Sequence, residues 1–597
     1  MYNKIRIPPS DMFCIFAFRL KKPRKNTLAA YSVSSHFLYL CTAFNLINFY
    51  MERHYLDYFE SSVVNYWDYP ALSDYKTDIN LTFGELAIQI EKLHLMFKEA
   101  GIQKGDKIAL CGRNISHWAV GFLAVTTYEA VAVSIMDAFT PESVHHLVNH
   151  SDARMFLVGD LVWPNLDIKE MPALEAVISL KNFEPVFAKD EKVFQKLSDA
   201  ETLFKAAHPS NLTKEDIHYP QDNWDDLVLI NYTSGTTSDP KGVMLTNRSI
   251  SSNIQFACEH IPHQPGSSVV SMLPMAHMFG LAFECLFQLC SGCHVYFLGK
   301  TPSPQVLMGA LAEAKPYMIL TVPLVVEKIF NKSIFPAINK PLVKLLWYTP
   351  GINRIIRRKV HKKLLDAFGG KLQYLIIGGA ALNRAVELCL HQIKFPFCVG
   401  YGMTECGPLL GYESWTEFRM HSCGRIVDRM EILIDSDDPH KKVGEILVRG
   451  ANQMIGYYKN EEATAAVFTH DGWLHTGDLG LLDEKNNIYI RGRNKSMILG
   501  PSGQNIYPEE IEDKLNNLQF VQESIVVSRN DKLVALVFPN AEDLNAVGGI
   551  FTDEMKETTK RHLNRMLPAF CRISSIEIVD KEFAKTPKRS IKRFLYS

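Results

Sequence analysis

Residues 107–158, KIALCGRNISHWAVGFLAVTTYEAVAVSIMDAFTPESVHHLVNHSDARMFLV, carry the alternation that decides the fold. The short apolar run 107–111 reads as a buried strand, and 118–129 as a helix. Residues 131–135 form a second strand, 141–150 a helix opened by Pro141, and 155–158 a third strand. Strands and helices in strict alternation predict a parallel, doubly wound sheet, with ligands bound beyond the carboxyl ends of its strands. Upstream, Thr82 and Glu85 are spaced as a capping box. Leu86, Ile90, Leu93 and Phe97 follow on one helical face, and Gly101 stops the helix. The same alternation returns between 317 and 399, whereas 443–491 breaks into short strands with Gly and Asn turns, a small β-rich subdomain. After Lys495 a compact α+β unit is predicted. Its helices lie near 508–515 and 553–567, and its strands near 524–528, 533–538 and 573–579. The expected fold is α/β: a large N-terminal region of doubly wound sheets with a small β-rich subdomain, 51–494, and a mobile C-terminal α+β domain, 495–597. Residues 1–50 read as an extension outside the fold.

A chain of 597 residues exceeds one ordinary core. With 47% hydrophobic and 22% charged residues it has the balance of a soluble globular protein. The net charge of −1 gives no global field toward nucleic acid or an anionic membrane, so any polyanion must be met by a local site. Twelve cysteines, mostly single and in apolar runs, read as reduced thiols of an intracellular, cytoplasmic protein. Cys290 and Cys293, followed by His294, have the spacing of a haem attachment site, but their apolar setting favours two packed thiols about a turn. Near the N-terminus, Arg19, Lys21, Lys22, Arg24 and Lys25 precede an uncharged run, 28–50. Ser32, Ser34, Ser35, His36, Thr42, Asn45 and Asn48 weaken its insertion into a bilayer. Peripheral membrane contact is the alternative to a plain extension.

Residues 231–249, NYTSGTTSDPKGVMLTNRS, hold the strongest local signal. An apolar strand runs into Thr233, Ser234, Gly235, Thr236 and Thr237, and Lys241 follows. Hydroxyls, backbone amides and a point charge are what a polyphosphate needs. The stretch is not a Walker A loop, since Pro240 and Gly242 stand where that motif has Gly and Ser or Thr. Alone, such a loop is ordinarily a solvated turn. Its companions are LPMAHMFG (273–280), GGAAL (378–382), GYGMTECGP (400–408), GWLHTGDLG (472–480), RGRNKSMILGPSGQNIYPEEIE (491–512) and KTPKRSIKR (585–593). With all of these in order, the chain resembles the adenylate-forming superfamily of acyl-CoA synthetases, luciferases and peptide-synthetase adenylation domains over residues 67–596. ILTVPLVVEKIF (319–330) and GGAALNRAVE (378–387) look most like long-chain fatty acyl-CoA synthetases.

The resemblance implies an acid–thiol ligase that adenylates a medium- to long-chain fatty acid with ATP and Mg²⁺ and passes the acyl group to CoA. It implies phosphate contacts from the 233–237 loop and Lys241, and an acyl-carboxylate neighbour in His277. Lys495 corresponds to the hinge, and Ser502 and Gly503 would line the thiol channel after rotation. Gly379 and Ala380 lack bulk, so adenine can approach their backbone, and Tyr401 offers a ring to stack on it. Thr404 can donate to the α-phosphate, and Glu405 is a hard oxygen ligand suited to Mg²⁺. Asp478, placed in a loop between strands, can accept from both ribose hydroxyls, with Arg493 as a further cation. One departure stands out: the family's C-terminal lysine falls at Ser590, flanked by Lys588 and Lys592. Lys592 is the favoured replacement. Delivery to the phosphopantetheine of an acidic acyl carrier protein is an alternative, for which Lys560, Arg561, Arg565 and Arg572 offer a basic face. A non-catalytic acyl or nucleotide sensor is the second alternative, suggested by Ser590 alone.

Overall fold

The structure, a computed structural model, describes residues 52–233, 240–300, 303–499, 505–530, 532–585 and 591–596. The N-terminal extension, Ser234 to Thr237, Ser502, Gly503, Lys588 and Ser590 therefore lie outside the described residues. Arg53–Ser597 cluster as one compact unit.

The quoted alternation builds the middle of an eight-stranded sheet. Lys107–Cys111 is flanked by Val131–Ile135 and Ala153–Val158, all parallel. Four of the five residues of the first strand and all five of the second are buried, as a strand covered on both faces requires. The helix Ser116–Thr127 buries eleven of its twelve residues, which explains its lack of a polar face in sequence. The expected capping box is formed at Phe83–Glu99, with Thr82 and Glu85 each accepting from the other's backbone N–H. Beyond Val131–Ile135 the sheet continues through Leu227–Thr233 and then turns antiparallel into Lys241–Thr246 and Gly456–Tyr457.

A seven-stranded sheet gathers distant parts of the chain. Its order runs from Phe397–Val399 through Tyr374–Ile377, Met318–Thr321, Ser268–Ser271 and His294–Phe297 to Pro70–Asp74 and Asn80–Thr82. Pro70–Asp74 lies parallel to His294–Phe297, so an N-terminal strand is completed by one from the middle of the sequence. The β-rich segment is a four-stranded antiparallel sheet of Met430–Asp435, Gly444–Gly450, Leu474–Leu482 and Ile488–Arg493.

Toward the C-terminus, Val521–Arg529, Lys532–Pro539 and Ser575–Ile578 form a three-stranded sheet. Helices Pro508–Leu515 and Asp553–Arg565 accompany it. Ile511, Leu515, Val526, Ala535, Val537 and Leu563 make an apolar core separate from those of the two large sheets. Cys290 and Cys293 are buried and unpaired either side of a turn at Gly292, their thiols directed at the carbonyls of Tyr55 and Gln264. They serve the core, as the apolar setting suggested.

Candidate active site

A cavity of about 2200 Å³ lies among the large sheets, the antiparallel subdomain and the C-terminal unit. Thr233, Lys241, His277, Gly379, Ala380, Tyr401, Thr404, Glu405, Asp478, Arg493, Lys495 and Lys592 all line it. Every expected site residue that lies among the described residues thus reaches one space.

Lys241 is placed by a hairpin. Thr233 and Lys241 are opposite partners where Leu227–Thr233 folds back into Lys241–Thr246, so the ladder fixes both ends of the intervening loop. The next residue has to be glycine, because a Cβ there would stand 2.9 Å from Ile230 Cγ2 and 3.1 Å from Tyr232 Cε1. The Lys241 ammonium sits 4.7 Å from the ring centroid of Tyr457, within cation–π range.

Tyr457 also donates its hydroxyl to Glu405 Oε1 at 3.0 Å. Burial and the Glu405 carboxylate raise the phenol's pKa, so it remains a donor. Glu405 belongs to the 3-10 turn Thr404–Cys406, which is fixed from two sides. Asn253 donates to the Cys406 carbonyl at 3.1 Å and accepts from Leu409 N at 2.8 Å, and Met454 N donates to the Glu405 carbonyl at 2.8 Å. Neither Tyr457 nor Asn253 was singled out in the sequence. Tyr457 occupies a two-residue strand too short for any periodicity, and Asn253 is a polar residue inside a helix, where it reads as solvated.

Asp478 corrects an expectation. It is not in a loop but within the strand Leu474–Leu482, directly opposite Arg493. The Gly477 turn conformation and the shift in register at Leu479 and Gly480 gave the segment its loop-like composition. Asp478 Oδ1 receives Arg493 Nε at 3.0 Å, and Oδ2 accepts from the buried Tyr401 hydroxyl at 2.8 Å. Burial raises the Asp478 pKa, against the pull of Arg493. Tyr401 is therefore tethered by its hydroxyl as well as lining the cavity.

Gly379 adopts φ +85°, which admits its backbone to the turn after Tyr374–Ile377. Phe279 packs against the preceding glycine so closely that a Cβ on Gly378 would meet its ring at 3.0 Å. His277 lies on the turn before the π-helix Gly280–Leu286, and its Nδ1 accepts from Phe279 N at 3.3 Å. π-helical turns concentrate at functional sites. Inside this one, fully buried Glu284 accepts from the backbone of Met272 and Leu273 and from Ser271 Oγ, fixing the LPMAH turn. Burial pushes its pKa up to about 8 despite those donors. A lone acid in the apolar run LAFECLFQLC was the available signal for this residue.

Away from the charged groups the cavity is walled by Leu307, Leu311, Leu320, Val325, Ile329 and Phe368. From the C-terminal side, Ile591 bridges to Lys585, and Lys592 N donates to the Ala584 carbonyl at 2.8 Å. Arg593 is committed to Glu512, and Lys585 to Glu523 and Glu582. Lys592 has no ion-pair partner among the described residues.

Residues 59–458 match the model of the AMP-binding enzyme family, and 495–596 that of the AMP-binding enzyme C-terminal domain. The long-chain-fatty-acid–CoA ligase 5 of Rattus norvegicus is 30% identical over 475 residues, 73% of this chain and 67% of the relative. The long-chain-fatty-acid–CoA ligase 1 of Saccharomyces cerevisiae is 26% identical over 527 residues, 81% and 74% of the two chains. Among solved structures, ATP-bound MatB from Rhodopseudomonas palustris superposes with a TM-score of 0.71 at 20% identity, covering 90% of this chain and 97% of that one. That last likeness bears on the fold.

Proposed function

The chain belongs to the AMP-binding enzyme family, and from this we propose that it is an acyl-CoA ligase which adenylates a medium- to long-chain fatty acid with ATP and transfers the acyl group to CoA. One observation carries the reading: the polar groups around Lys241, Glu405 and Asp478 share a single cavity with a wall of aliphatic side chains. A nucleotide and an acyl chain need these two kinds of surface side by side. The names of the relatives, long-chain-fatty-acid–CoA ligases, support the same class of acid.

In the first step a carboxylate oxygen attacks the α-phosphorus, a P–O bond forms, and the bond to the β-phosphate breaks to release pyrophosphate. Here the chain supplies positioning and charge rather than a proton acceptor. Lys241 and Lys592 are the cations for phosphate and carboxylate, Thr404 donates to phosphate, and His277 borders the acyl carboxylate. Asp478 accepts from the ribose hydroxyls, and Tyr401 flanks the base beside Gly379 and Ala380. Glu405 fits a Mg²⁺ ion: a hard carboxylate in the cavity, oriented by Tyr457 through one oxygen, suits an ion that keeps most of its water ligands. Bound there, Mg²⁺ would offset charge on the phosphates.

In the second step the CoA sulfur attacks the acyl carbonyl carbon and AMP leaves. We assign residues 51–494 to an adenylation domain and 495–597 to a domain that turns about Lys495, bringing Ser502 and Gly503 to the thiol. Now Asn383 and Arg384 contact Asn517 and Asp513 across that division, at 2.6 and 3.4 Å. Arg491 also meets Glu510 at 3.4 Å across it, and polar contacts of this kind suit a surface that parts. Pyrophosphate release measured with a series of free acids from acetate to oleate, with and without CoA, tests the proposal. Release that depends on a medium or long acid is expected, and release confined to short or aromatic acids would overturn the substrate class.

A further inference from the structure

The helices Pro341–Tyr348 and Ile352–Ala367 form a hairpin beside the acyl end of the cavity, and their surface differs from the rest of the chain. Between Glu327 and Asp366 there are ten lysines and arginines and no acidic residue, in a chain of net charge −1. Five large apolar side chains on the same hairpin are exposed: Leu342 68%, Leu345 66%, Tyr348 69%, Ile352 42% and Ile355 56%.

The hairpin is nonetheless firmly docked. Trp347 is buried and donates Nε1–H to Gln392 Oε1 at 3.0 Å, Arg357 lies 5.3 Å from its ring, and Leu364 and Phe368 enter the core. The outward apolar residues are thus a designed face and not a loosely attached helix. Single exposed apolar residues need no explanation, but five on one element do. Lys344, Arg354, Arg358 and Lys359 are exposed among them without an acidic partner among the described residues; Lys362 pairs with Asp366.

We propose that this hairpin is a docking surface for an anionic lipid bilayer. Aliphatic side chains interleaved with charge of one sign fit a membrane interface, where the acyl boundary and the headgroups take up each kind. A protein partner is the poorer match, because lysine is depleted from the centre of such interfaces. Lys363, Leu364 and Ala367 of the second helix, and Phe368 just after it, line the cavity, so a bilayer held here lies against the acyl end of the site. That link to substrate rests on the fatty-acid reading; lipid binding itself does not.

Co-sedimentation of the full chain with vesicles tests this independently of turnover. The wild-type chain is expected to pellet with phosphatidylcholine vesicles doped with phosphatidylserine, to be released by salt, and to ignore pure phosphatidylcholine. Lys344→Glu/Arg354→Glu/Arg358→Glu should weaken binding on the order of a hundredfold or more, since each basic residue near such a surface contributes severalfold. Leu345→Ser/Ile355→Ser, which changes no charge, should weaken it as well. Unaltered thermal transitions identify both variants as folded, and pyrophosphate release with octanoate in vesicle-free buffer should match the wild type. Wild-type vesicle binding by both variants would overturn the proposal. So would equal binding to neutral vesicles, or binding to an acidic carrier protein with none to vesicles.

Discussion

Tyr457 links two charged groups of the cavity, its ring 4.7 Å from the Lys241 ammonium and its hydroxyl 3.0 Å from Glu405 Oε1. One aromatic residue thereby sets the spacing of a cation and an anion from different elements. Tyr457→Phe keeps the ring and loses the hydroxyl, so it is expected to reduce adenylate formation about tenfold, the scale of one hydrogen bond to a charged group. Lys241→Ala and Glu405→Gln should each cost about 10²–10³ in rate, as for a preorganised charge at the reacting centre. Isotope exchange between pyrophosphate and ATP reads all three. Equal rates for the four proteins would remove these residues from the chemistry.

Lys592 and Arg593 are neighbours with opposite expected phenotypes. Arg593→Ala strands the buried Glu512 carboxylate and should destabilise the C-terminal unit by about 3 kcal/mol, the low end for a broken buried pair because Arg593 keeps some solvent. Lys592→Ala should leave thermal stability unchanged, slow adenylate formation, and spare thiolysis of preformed acyl-AMP. Ser590→Lys should preserve or raise the adenylation rate. If neither Lys592→Ala nor Ser590→Lys alters that rate, the C-terminal segment contributes no charge to the step.

Asp478 offers a test that separates binding from chemistry. Asp478→Asn keeps the shape but removes the charge that meets Arg493, and should raise the KM for ATP about tenfold to a hundredfold. A smaller effect on kcat is expected, because ribose contacts are made equally in ground and transition states. An unchanged KM for ATP would exclude the ribose assignment.

Glu284 makes stability depend on pH. Its folded-state pKa is raised from 4.5 to about 8 by burial, so its contribution is fully present below the ordinary value and is lost as pH rises through the folded one. Glu284→Gln does not titrate and retains an acceptor for Ser271, Met272 and Leu273. The wild-type chain should therefore lose stability relative to this variant between pH 4.5 and 8, by at most about 1.4 kcal/mol per pH unit. Denaturant midpoints for both proteins across that range check the sign. A constant difference would mean that Glu284 is ionised throughout.

Much of the architecture was legible because it rests on local patterns. The capping box at Thr82 and Glu85, the alternation from 107 to 158 and the helix Pro508–Leu515 all appear where the residues place them. Asp478 was misplaced because a strand that carries glycine and a register shift has the composition of a turn. Tyr457 and Glu284 escaped for a different reason. Their significance comes from partners 52 and 13 residues away, and no periodicity along the chain encodes a contact across a fold. The outward face of 341–367 was likewise invisible, since apolar residues at helical spacing read as core until burial shows otherwise.

The parallel pairing of Pro70–Asp74 with His294–Phe297 sets a clock on biosynthesis. At about 5–20 residues per second, the ribosome needs roughly ten to forty-five seconds to travel between the two strands. Throughout that interval Ala71, Leu72 and Ser73, all buried in the finished protein, have no parallel neighbour to pair with. The strand Pro70–Asp74 thus emerges before the parallel neighbour that will receive it exists. Until then its one available partner in that sheet is the adjoining strand Asn80–Thr82, which it meets antiparallel.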